Sequence, residues 1–172
     1  MASLMENLIE VLERECEEYE GLLALSQMKT QIIASGNLED LQKITDDEQD
    51  LVGRVNQLDK RRVEVTADIA NVLNRDVEKM KLSNLIEMLA GRPKEQAMLA
   101  EVYDRLQSAV RGLQRVNEQN RELLVDALEM VEFEMNLLQA MKAAPETANY
   151  TRNAYNSGAQ MGVTNGNFDA KQ

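Results

Sequence analysis

The stretch ITDDEQDLVGRVNQLDKRRVEVTADIANV, residues 44–72, returns to an apolar residue at every seventh position: Ile44, Leu51, Leu58, Val65 and Val72. The interleaved seam position reads Leu41, Glu48, Val55, Arg62 and Ile69. A repeat of 3.5 residues held this long specifies an α-helix lying at a shallow angle against another helix. Glu48 and Arg62 interrupt the seam, and a charge taken out of water needs a partner. Glu48 therefore reads as a carboxylate at the core edge that meets a lysine, an arginine or the backbone.

Working outward, the helix is expected over about 38–79. It is preceded by Ser35-Gly36, where glycine suits the left-handed residue after a helix end, and by Asn37, a good N-cap with Glu39 and Asp40 in the first turn behind it. Upstream, Met5, Leu8, Leu12, Cys16, Tyr19, Leu23, Ser26, Thr30 and Ile33 recur at spacings of three and four and predict a first helix over about 3–34. So short a turn folds the two helices back antiparallel. A pivot at Gly36 sets Arg62 opposite Glu10, with Glu6 and Glu13 one turn away on either side, and Lys60 and Arg61 beside it. The signs agree, although exposed ion pairs help register more than they stabilise.

Downstream of Met80 the pattern breaks. Ser83 reads as the cap of a short helix near 84–90 that ends at Gly91, and Pro93 suits the first position of a third long helix over about 93–143. At 1.5 Å per residue that helix spans roughly 75 Å. The fold expected is all-α: an antiparallel bundle of three long helices with one short connecting helix, in a domain covering 1–144. From 145 to 172 the chain is rich in Asn, Gly, Ala and Thr without periodicity and reads as a flexible tail, yet it holds Tyr150, Tyr155 and Phe168.

Within the third helix VNEQNRELL, residues 116–124, sets Asn117 and Asn120 on the apolar face. A buried unpaired amide costs about 1–3 kcal/mol, so the pair is expected to find partners as a polar layer, together with Glu48 and Arg62 in the second helix. Such layers fix register at the expense of stability, and replacing both asparagines by leucine is expected to stabilise the chain while loosening its register.

Composition removes several functions. The net charge is −11, from 19 basic and 30 acidic residues, and such a surface repels nucleic acid and anionic lipid. There is no histidine and one cysteine, Cys16, so neither a transition-metal site nor a histidine-dependent catalytic set can be assembled. Cys16 reads as a small core residue. No phosphate-binding glycine loop occurs, and the many carboxylates read as solvated helix faces. No enzyme activity, cofactor or small-molecule substrate is expected. The acidic N-terminus is unlike a signal peptide and no apolar run reaches membrane-spanning length, so membrane insertion is not expected either and the location reads as cytoplasmic.

One apolar stripe too many remains. Toward the end of the third helix Leu128, Val131, Met135 and Leu138 gather on one side, while Met130, Phe133, Leu137 and Met141 gather about 130° away at 100° per residue. Two neighbours within a bundle account for two stripes. So does a landing surface for a helix of another protein, to which methionine adapts well.

The order of these motifs resembles the FlgN family of flagellar export chaperones. Leu8, Leu12, Glu15, Tyr19, Leu22 and Leu23 followed by Lys29 are similar to that family's opening. GNLEDL at 36–41, then Glu48-Gln49 with Leu51, Leu58 and Arg62, LSNLIE at 82–87, and Asn117, Asn120, Leu123 and Leu124 follow in the family's order. The resemblance implies a helical binding protein without catalysis. It would hold the aggregation-prone terminal helices of the hook-associated proteins that join hook to filament, prevent their early assembly and deliver them to the type III export gate. It also puts binding toward the C-terminus, where Met130, Phe133, Leu137, Met141, Tyr150 and Tyr155 are the candidates. The competing expectation is a self-associating coiled-coil scaffold, a homo-oligomer closed by the same second stripe.

Overall fold

The computed structural model describes residues 2–77 and 80–143, and every regular element among them is helical. α1 covers Ala2–Ser35, α2 Leu38–Val72, α3 Leu82–Met88 and α4 Pro93–Ala143, with one turn of 3-10 helix at Leu89–Gly91. The second domain expected, 145–172, lies outside the described residues.

The α1–α2 turn forms as its residues dictate. Gly36 takes φ of +70° and its amide returns to the Ile33 carbonyl at 3.1 Å, a conformation that costs glycine no steric penalty. Asn37 then accepts the amides of Glu39 and Asp40 on its side-chain oxygen, satisfying two of the orphan donors of α2.

α2 ends at Val72, seven residues before the expected 79. Asn74 adopts φ of +50°, its amide reaches the Asn71 carbonyl at 3.1 Å, and the Arg75 amide reaches Ala70 at 2.9 Å. These two bonds are the Schellman ending, and asparagine is among the few non-glycine residues that accept its left-handed position. Val72, the fifth member of the heptad, is exposed. α3 is preceded by Lys81, which makes no side-chain cap bond, so Ser83 is an internal residue of the first turn and not the cap.

α1 and α2 run antiparallel, in close contact. A Cβ added at Gly21 would stand 2.9 Å from Leu51 Cδ2, and Arg54 Nε donates to Glu18 at 2.9 Å. Both pairings match a pivot at Gly36. Arg62 nevertheless does not meet Glu10. Its long side chain reaches about a turn along α1 to Glu15, with Nε 3.0 Å from Oε1, while Glu10 pairs with Arg14 in its own helix.

α4 runs parallel to α1. The Cys16 thiol lies 3.5 Å from the Val102 carbonyl, Arg105 reaches Glu20 at 3.0 Å, Leu23 sits against Gly112, and Ser26 meets Asn117. The bundle is therefore up, down and up, with α3 at the crossover. Its densest core joins Leu8, Leu12 and Cys16 of α1, Val65 and Ile69 of α2, Met80, Leu85 and Leu89 of the crossover, and Leu99 and Val102 of α4. Burying a large aliphatic side chain contributes about 1.5–3 kcal/mol, so this end carries most of the stabilising burial.

By its contacts the chain divides into two units, Met1–Val131 and Glu132–Gln172, the division falling within α4. In the first unit, the 90-residue separation of Thr30 from its partner Asn120 carries the last residue of α1, Ser35, to the level of Val125. All of α4 from Val125 to Val131 is exposed, and the described residues of the second unit, 132–143, are exposed throughout.

Candidate functional site

The first unit holds a groove of about 420 Å³ lined by apolar Leu22, Val52, Leu113, Leu124, Val125 and Leu128 and by polar Ser26, Lys29, Glu48, Asn117, Asn120 and Arg121. Helical spacing on three elements brings the polar residues together: Ser26 and Lys29 lie one turn apart on α1, with Thr30 behind them bonded to Asn120, Asn117 and Asn120 lie one turn apart on α4, and Glu48 comes across from α2.

Asn120 is buried, and each of its polar atoms is engaged. Its Nδ2 donates to the Ser26 carbonyl at 2.8 Å and its Oδ1 accepts the Thr30 hydroxyl at 2.5 Å. Asn117 sits on the exposed edge of the groove, contrary to its expected burial, because it lies three residues back along α4 at the rim. Ser26, fully enclosed, shares its single hydroxyl proton between Asn117 Oδ1 at 2.9 Å and Glu48 Oε1 at 3.1 Å. Lys29 Nζ closes the set with a 2.7 Å ion pair to Glu48 Oε2, both side chains mostly covered. The charges neutralise each other, and no buried side-chain nitrogen or oxygen among the described residues lacks a partner.

Arg62 belongs to a different cluster. It bridges Glu15 of α1 and Asp59 of its own helix. Burial of Glu15 raises its carboxyl pKa, and the Arg62 charge pulls back against that without overcoming it. Arg62 is held above its ordinary range: burial opposes its charge, but Glu15 and Asp59 outweigh burial. The expected seam of Asn117, Asn120, Glu48 and Arg62 thus separates into a three-helix layer around Ser26 and an α1–α2 pair around Glu15.

Sequence reasoning left four of these residues without a role. From the sequence alone Ser26 and Thr30 are stripe positions only, Lys29 has a place only through the family resemblance, and Glu15 is not marked as a buried acid. Its signal is present, since Leu8, Leu12, Glu15, Tyr19 and Leu22 keep the spacing of three and four that core positions keep.

The end of α4 offers a surface of another kind. Leu128, Val131, Met135 and Leu138 on one side, and Met130, Phe133, Leu137 and Met141 on the other, are each between 50% and 67% exposed. Tyr150 and Tyr155 lie outside the described residues. Among those described, no helix is long and apolar enough to cross a membrane.

Fold and surface together define a class: a long helical bundle protein that leaves a broad apolar helix face uncovered. The profile of the FlgN protein family matches residues 1–158, and the chain belongs to the FlgN family, a chaperone family rather than an enzyme family, which implies a role in flagellar export. The uncharacterized protein YvyG of Bacillus subtilis (strain 168) is 30% identical over 131 residues, covering 76% of this chain and 78% of YvyG. No solved structure matches the chain.

Proposed function

We propose that this chain is a cytoplasmic chaperone for flagellar hook-associated proteins. It binds their amphipathic terminal helices, prevents premature assembly and hands them to the type III export apparatus, contacting components of the export gate. The observation carrying this reading is the uncovered apolar face of α4, with Met130, Phe133, Leu137 and Met141 as proposed contacts, joined by Tyr150 and Tyr155 of the following segment. Contiguous exposed apolar surface on a folded chain marks an interaction site more often than chance exposure does, and an amphipathic helix presents the complementary stripe.

The magnitudes suit a releasable complex. Burying four such side chains yields about 6–12 kcal/mol gross, and ordering the client helix and fixing it in place offset much of that. In this reading Asn117, Asn120, Glu48 and Arg62 are architecture, holding the helices in register.

The test is capture of a purified hook-associated protein by wild type and by Met130→Asp/Leu137→Asp. Capture should be lost while helicity and melting temperature stay close to wild type, because both positions are exposed. Retained capture would place the contact elsewhere. A tight dimer indifferent to client would favour the self-associating scaffold instead.

A further inference from the structure

Charge changes abruptly along α4. From Pro93 to Arg121 the helix has five basic residues, Lys94, Arg105, Arg111, Arg115 and Arg121, against four acidic ones, Glu95, Glu101, Asp104 and Glu118. From 122 to 141 it has Glu122, Asp126, Glu129, Glu132 and Glu134 and neither lysine nor arginine. All five carboxylates are exposed, and none has an ion-pair partner among the described residues. At 100° per residue Glu129 and Glu134 fall on opposite borders of the Met130–Phe133–Leu137–Met141 stripe, and Glu132 borders the other stripe. The Met130–Phe133–Leu137–Met141 stripe is thus bordered by unpaired negative charge, while Lys142 in the last turn of α4 falls on the other stripe.

From this we infer that the occupant of the face is an amphipathic helix of another protein whose apolar stripe is bordered by lysine or arginine. The inference rests on the proposed docking of a helix there and adds the chemistry by which that helix is selected. A second copy of this chain fits poorly, since pairing the segment with itself sets carboxylates against carboxylates in either direction. Like charges brought together at an interface reject a partner, and opposite charges speed its arrival and fix its register. Helices with acidic or uncharged borders bind the same apolar stripe more weakly.

Three labelled amphipathic peptides sharing one Leu/Met stripe, bordered by Lys, Gln or Glu, test this by fluorescence anisotropy with the full-length chain. The Lys-bordered peptide should bind roughly tenfold more tightly than the Glu-bordered one in about 50 mM NaCl, with the gap closing in about 500 mM. Glu129→Lys/Glu134→Lys should reverse the order. Asp47→Lys/Asp50→Lys, the same charge change at exposed α2 positions, should leave it intact; loss of the preference in that variant would make net charge the cause and overturn the inference. Equal binding of all three peptides, abolished by Met130→Asp/Leu137→Asp, would overturn the inference and leave helix docking standing. Binding of none, or a wild-type dimer dissociated by Met130→Asp/Leu137→Asp, would overturn both.

Discussion

Asn120 on α4 donates to the backbone carbonyl of Ser26 on α1 at 2.8 Å, across 94 residues of sequence. That bond reverses the sign expected for an asparagine in an apolar seam. Leucine at 120 would gain apolar burial but remove two hydrogen bonds to α4, leaving the Ser26 carbonyl and the Thr30 hydroxyl the 3.2 Å bond they make to each other within α1. A hydrogen bond contributes about 0.5–1.5 kcal/mol net. Asn120→Leu should therefore lower the free energy of unfolding, read from urea denaturation, by about 1 kcal/mol once the gained burial offsets part of the loss. Asn117→Leu at the groove rim should cost clearly less. A stabilised Asn120→Leu would refute the account.

Glu15 gives stability a pH dependence of unusual sign. Burial raises its carboxyl pKa above the ordinary 4.5 in spite of Arg62. A carboxyl that ionises less readily folded than unfolded contributes stability below 4.5 and loses it as pH rises through the folded value. Glu15→Gln removes this titration. The stability of wild type relative to Glu15→Gln should increase as pH falls from neutral toward 4.5, measured as the difference between their melting temperatures. Parallel curves would mean that Glu15 ionises equally readily in both states.

Two helical glycines should answer alanine differently. Nothing lies within 4 Å of a Cβ built at Gly53, whereas at Gly21 it would stand 2.9 Å from Leu51 Cδ2. Gly53→Ala should stabilise by about 0.5–1 kcal/mol through chain entropy and helix propensity. Gly21→Ala should gain less, since the Leu51 side chain must move, and Gly21→Val should destabilise. Chemical denaturation of the three variants orders them.

Cys16 should be silent until the chain unfolds. Its thiol is enclosed between α1 and α4, and burial raises its pKa against the opposing pull of Arg105. The thiolate is the reactive form. Thiol reagent added to the native chain should react slowly, and at a rate that follows the unfolding equilibrium as urea is raised.

Much of the fold could be read directly from periodicity and punctuation. The seven-residue repeat from Ile44, the Gly36-Asn37 turn and Pro93 each have a local physical cause, and each stands where local causes put it. The end of α2 was hidden because its heptad continues through Val72, and the left-handed Asn74 that stops it carries a weaker signal than a glycine would. The Arg62–Glu15 pair was missed for a different reason. Register fixes which backbones face each other, but an arginine side chain spans about a turn of the facing helix. At the candidate site the two stripes on α4 were visible, and their exposure was not, because the level at which α1 runs out depends on the α1–α4 offset. Ser26, the centre of the polar layer, looks like any small residue on an apolar face until α4 lies beside it.

The parallel course of α1 and α4 also sets the order in which this protein can come into being. Side-chain bonds between α1 and α2 join residues 19 to 47 apart, whereas those between α1 and α4 span 85 to 94. On the ribosome the α1–α2 hairpin can close early, with Ser26, Cys16 and Glu20 facing a helix not yet synthesised. Contacts so distant in sequence form late and slowly. Until the codons near 120 are translated, the nascent chain carries a half-finished, sticky helix face of its own. A member of a chaperone family thus passes, each time it is made, through a stage at which its own helix face is unprotected.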